Sequence, residues 1–161
     1  MGPTLAGFQS FIVNVMDIAP LYLPPGSSVI PAAFNVAMAI VNPNIAACGS
    51  LASLLVNGVD PANQPTPYAY AVYNLAGDRL INFAPDQPAQ TYFKDLRKTL
   101  NIYGFVGGVI SAAGDEATNQ SMVVPDAMTH FTMRDLQTLK TPWGRTYMEF
   151  AQSFGYPFAM A

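Results

Sequence analysis

No charged residue occurs between Asp17 and Asp60, and the same stretch is interrupted by Pro20, Pro24, Pro25, Pro31 and Pro43. A span through a bilayer needs roughly 20 apolar residues in one helix, because lipid offers no partner to a broken backbone hydrogen bond. The longest helix-compatible piece, Val29 to Val41, falls short of that. The stretch is therefore expected to form helices that bury their apolar faces against protein, with no membrane involved. No basic segment followed by an apolar run opens the chain, so no secretory leader is expected. The expected location is the cytosol, or a particle assembled there.

Hydrophobic periodicity then divides the chain. Thr4 is a plausible N-cap, and Phe8, Phe11, Ile12 and Val15 share one face, so residues 4–17 read as an amphipathic helix. Beyond Pro20 to Gly26, Ser27 or Ser28 is placed to cap a second helix running to about Asn42. Its Ile30, Phe34, Met38 and Val41 lie on one side and alanines on the other, and a helix apolar nearly all round is expected at the centre of a fold. Residues 43–67, rich in Pro and Gly around Leu51 to Val56, read as an insertion loop, with Asn57-Gly58 able to close a small hairpin.

From Tyr68 to Phe83 the pattern is helical again, with Val72, Leu75, Ala76 and Phe83 near one face. Asn74, Asp78 and Asn82 recur at i, i+4 and i+8, a stripe read here as a solvated face. Thr91 to Ile102 reads as a helix with Phe93, Leu96 and Leu100 inward and Lys94, Asp95, Arg97 and Lys98 mostly outward. Phe105 to Ile110 and Gln120 to Val124 are β-prone runs joined by polar residues, so 105–124 is expected to form a β-hairpin or extended arm. Thr132 with Asp135 has capping-box spacing, and Thr141-Pro142 opens a last helix whose stripe is Tyr147, Phe150, Ala151 and Phe154, ending at Gly155. The apolar tail Tyr156, Pro157, Phe158, Ala159, Met160 and Ala161 cannot continue as helix through its proline. The expected fold is thus mainly α: one domain over 1–161, a bundle of about five helices with a β-hairpin or arm and an extended C-terminal tail.

Residue types exclude most chemistry. One cysteine, Cys48, precludes an internal disulfide and, with one histidine, cannot supply a four-ligand zinc site. His130 lies between Thr129 and Phe131, with no Gly-x-Ser-x-Gly elbow to hold a nucleophile beside it. Gly104, Gly107, Gly108 and Gly114 lack the spacing and the Gly-Lys-Ser/Thr ending of a phosphate-wrapping loop. Asp115 and Glu116 are adjacent and point apart, which suits a solvated turn better than a divalent cation needing several converging oxygens. No catalytic residue, metal ligand or cofactor is expected, and the chain is read as non-enzymatic. Trp143 and Arg145 are residue types favoured as interface anchors, although a tryptophan at a helix start also staples that helix to a core.

Only 11% of residues are charged against 51% apolar, so part of the surface is expected to be covered by a partner. Net charge is −3, which offers little hold on phosphates, so DNA near this protein should pass rather than bind.

Four segments carry a family resemblance: Ala37 to Asn44; Tyr70 to Asn82; Phe105 to Ser111 with Asp115 to Thr118; and Asp135 to Tyr147. In these the chain resembles the small helical head-to-tail connector proteins (adaptors, or head-completion proteins) of tailed bacteriophages. The late Thr141-Pro-Trp-Gly-Arg-Thr-Tyr147 block is the most specific part. The resemblance runs from about residue 30 to 155 and is interrupted by Gly49 to Thr66, which has no place in that pattern; the N-terminal helix matches only in kind. It implies a homo-oligomeric ring in the virion neck, typically a dodecamer, docked on the portal protein, meeting tail or neck proteins and continuing the DNA channel, with passing contact to genomic DNA. It also implies that Tyr156 to Ala161 contact the portal. The competing expectations are another virion subunit, such as a tail terminator or minor capsid protein, and a small helical ligand-binding domain using Asn74, Asp78, Asn82 and Arg79.

Overall fold

A computed structural model describes residues 2–41, 66–104, 112–115, 118–121 and 132–153. The chain is mainly helical, with six helices among the described residues: α1 (Leu5–Asn14), α2 (Val29–Ile40), α3 (Pro67–Phe83), α4 (Tyr92–Thr99), α5 (Met133–Thr138) and α6 (Pro142–Ser153).

Local chemistry sets the helix starts. Thr4 caps α1 by accepting the Gly7 N–H, and Thr66 caps α3 by accepting the Ala69 N–H, with Pro67 at the first turn. The capping box of Thr132 and Asp135 is complete at α5. Two starts are built differently from expectation. Ser28 makes no side-chain cap bond at α2. The first turn of α4 is satisfied from outside the helix, Asp86 accepting the Phe93 N–H at 2.6 Å and the Lys94 N–H at 3.1 Å.

Helix α4 also stops sooner than the expected Ile102. Asn101 adopts a left-handed φ of 50°, and its N–H bonds the Lys98 carbonyl while the Ile102 N–H bonds the Arg97 carbonyl. This paired reversal ends a helix and turns buried Ile102 back onto it. Helix α1 likewise ends before residue 17, where Asp17 takes φ 54° and the chain folds back to bury Met16 and Ile18.

Helix α3 is the centre, packed on α2 along one side and on α6 along another. Thirteen of its 17 residues are buried, from Pro67 to Ile81. An aromatic cluster joins it to the N-terminal helices: Tyr73 lies against Phe8, Phe11 and Phe34. The Tyr73 hydroxyl accepts the Thr4 N–H at 3.0 Å and donates to the Thr4 carbonyl at 3.3 Å, pinning the start of α1. On the far side Tyr70 meets Phe150 of α6 edge to face, ring centroids 5.5 Å apart.

Four expectations are corrected here. Helix α2 is peripheral, with Ala32, Asn35, Val36 and Ala39 exposed, because only its Ile30, Ala33, Phe34 and Ala37 edge faces the core. The stripe on α3 is not solvated: Asn74 and Asp78 are 2% and 1% exposed. Phe83, expected inward, is 70% exposed at the end of α3. Arg97, expected outward, is buried.

The two described strands, β1 (Ala112–Asp115) and β2 (Thr118–Ser121), pair antiparallel with Ala112 opposite Ser121 and Asp115 opposite Thr118. Strand β1 and the first half of β2 fall on the polar stretch that the sequence assigned to the link, so the expected hairpin between the runs 105–110 and 120–124 is not supported. Residues 105–111 and 122–131, residues 43–65 of the insertion, and residues 154–161 lie outside the described residues.

Candidate functional site

The most specific segment of the sequence, Thr141-Pro-Trp-Gly144, is the joint between α3 and α6. Thr141 is buried, and its hydroxyl accepts the Gly144 N–H at 2.9 Å, which caps α6. The same hydroxyl donates to Asp78 Oδ1 at 2.6 Å. One side chain thus caps a helix and ties it to the central helix. Burial pushes the Asp78 carboxyl above the ordinary range, and the Thr141 bond, the Arg79 charge and Asn82 oppose that rise.

The glycine in this block has a steric cause. A Cβ on Gly144 would collide with the Thr138 carbonyl oxygen, so α5 and α6 meet this closely only with glycine there. Gly77 on α3 is a looser approach: a Cβ would sit 3.1 Å from Sδ of the flexible Met16 side chain and in ordinary contact, 3.5 Å, with Trp143 Cγ. Trp143 is therefore half-buried against α3 and the chain after α1, the position of a staple. Arg145, two residues on, is exposed. Tyr156, Pro157, Phe158, Ala159, Met160 and Ala161, and with them His130, Cys48 and Glu116, lie outside the described residues.

The polar stripe is spent internally. Asn74 Nδ2 donates to the Tyr70 carbonyl at 2.9 Å and Asn82 Nδ2 to the Asp78 carbonyl at 2.7 Å. Two cations are also committed to backbone. Arg97 donates to the carbonyls of Phe93, Asn82 and Ala84, so its charge sits at the C-terminal end of α3, where carbonyls point outward. Lys140 Nζ donates to the carbonyls of Asn101, Ile102 and Gly104, and Gln137 joins it on Ile102 at 2.8 Å. These two side chains fix α4 and the turn after it to α3 and α5. Sequence reasoning missed both, and also the Asp78–Thr141 pair, though each residue had been singled out separately.

Several large apolar side chains lie at the surface. Leu5, Val13 and Val15 of the α1 region, Leu21, Val36 of α2, Phe83, Tyr103 and Met133 are all exposed. Among the described residues no group of three or more His, Cys, Asp or Glu converges as a metal site would need. No helix among them is long and apolar enough to cross a membrane. Comparison with protein-family models, with curated proteins and with solved structures finds no match for this chain.

Proposed function

We propose that this chain is a non-enzymatic virion subunit that assembles into a homo-oligomeric ring, joins the portal to the tail and continues the DNA channel. The observation that carries the assembly part is the exposed apolar surface: Val13 and Val15 are 46% and 54% exposed and Val36 47%, in a chain with few charges to keep such a surface soluble. Obligate contacts are more hydrophobic than transient ones, and rings close through head-to-tail interfaces. The neck position and the portal partner rest on the resemblance of the four segments. The net negative charge agrees with a channel through which DNA moves without being held.

A tail terminator or minor capsid subunit would use the same apolar surface at another place in the particle. The ligand-binding alternative is less supported, because Asn74, Asp78 and Asn82 of its stripe each make a hydrogen bond inside the chain.

The test is the mass of the full chain in solution, alone and mixed with portal rings from the same source. A ring, or saturable binding near one copy per portal subunit, is the expected result. A monomer indifferent to portal would remove the connector reading. Deleting Tyr156 to Ala161 should leave the helical core folded and abolish portal attachment; normal attachment by the truncated chain would free the tail of that role.

A further inference from the structure

The link between α1 and α2 meets α4 through a pair of tyrosines. Tyr22, in that link, stacks on Tyr92, the first residue of α4, with ring centroids 4.2 Å apart and planes within 9° of parallel. Among the described residues this is the one contact between two tyrosines, and every other ring pair includes a phenylalanine. Both rings of the pair are half-buried, so solvent and small solutes reach them, whereas Tyr68 and Tyr73 are buried.

Two phenols in this arrangement are set for oxidative coupling. Loss of one electron and one proton from each gives two phenoxyl radicals, with unpaired spin on the ring carbons ortho to oxygen in orbitals perpendicular to the ring. A near-parallel stack at contact distance turns those orbitals toward each other, the alignment a bond-forming step needs. Coupling forms one carbon–carbon bond. The hydrogens on the two joined carbons then pass through water to the two oxygens, which restores both aromatic rings as phenols. Hydrogen peroxide is the oxidant: it takes up the two electrons and two protons and leaves as two waters. Restoring the rings turns them edge to edge, and Tyr22 can follow because it lies in a non-helical link beside exposed Pro20, Leu21 and Pro24.

We propose that Tyr22 and Tyr92 form an oxidative cross-linking site, joined as dityrosine by hydrogen peroxide acting through a one-electron oxidant of the haem peroxidase class. The product is a covalent staple from the α1–α2 link to α4, closed across α2 and α3. An internal disulfide cannot take that part, because Cys48 is the single cysteine. The inference is independent of the ring and of the portal.

The full chain at high dilution, treated with a haem peroxidase and hydrogen peroxide and then digested, is read by mass spectrometry and by dityrosine fluorescence. The expected product has the mass of the monomer less two hydrogens and joins the Tyr22 peptide to the Tyr92 peptide. Closing so long a loop should raise the thermal midpoint of the treated monomer by roughly 5–10 °C. Y22F and Y92F keep the stacked rings and lose one phenol oxygen, so each untreated variant should melt as wild type does. Each treated variant should lack both the cross-link and the shift. A wild type that yields no Tyr22–Tyr92 product, under conditions that couple free tyrosine, overturns the site. So does coupling confined to the exposed Tyr103 of two copies, with Tyr22 and Tyr92 left unmodified.

Discussion

Helices α2 and α3 invert what their compositions suggest. Helix α2 is apolar nearly all round and lies at the edge, while α3 carries Asn74, Asp78, Arg79 and Asn82 and fills the centre. The difference is one of neighbours. Helix α3 has α2 on one side and α6 on another, and its polar groups survive burial because they are bonded to backbone or to Thr141. Helix α2 has a core on one side only, so Ala32, Val36 and Ala39 are left at the surface. Polar residues in this buried helix therefore mark joints, and under the proposed assembly the apolar residues on the peripheral helix are candidates for the interface.

The strongest way to break this contrast is Leu80→Ala. Leu80 is fully buried on α3, so its truncation should destabilise the chain by about 3–5 kcal/mol in a denaturant titration. A loss below about 1 kcal/mol would mean that α3 is not the centre. Next in size is Thr141→Val, which keeps the volume but removes the α6 cap and the Asp78 donor. It should cost about 2–3 kcal/mol, read in the same titration, from one lost cap and one buried carboxylate left short of a partner.

Asp78→Asn sharpens the contrast through pH. The folded carboxyl holds its proton more tightly than the unfolded one, so between the ordinary carboxyl value, about 3.9, and the raised folded value the native state binds more protons. Its contribution to stability is then present at low pH and is lost as pH rises through the folded value. Stability curves of wild type and D78N should diverge over that window, with D78N losing less as pH rises. Parallel curves would show that the carboxyl is not buried as described. The smallest effect on the monomer is expected for Val36→Ser. Val36 is 47% exposed, so the change should move monomer stability by less than about 0.5 kcal/mol while weakening self-association in sedimentation. A large stability loss would place α2 inside after all.

Helix positions were legible because their signals are local. Thr4, the pair Thr132 and Asp135, and Thr141-Pro142 each bind backbone groups within one turn, and those bonds are present. The early end of α4 was legible only in principle: Asn101 is a residue that tolerates a left-handed turn, but nothing adjacent demanded one. Arg97 and Lys140 were not legible, because their partners are carbonyls 13 to 15 and 36 to 39 residues away. The polar α3 stripe was misjudged because periodicity shows that residues share a face and cannot show what lies opposite.

By itself the sequence determined a mainly helical chain, most of its helix starts, and a low charge content, since these follow from short-range hydrogen bonding, periodicity and composition. The tertiary structure alone decided which helix is central, that Thr141 joins α6 to Asp78, and that Gly77 and Gly144 are contact points. Those outcomes depend on which surfaces meet, and a surface's partner is fixed by the packing of distant segments.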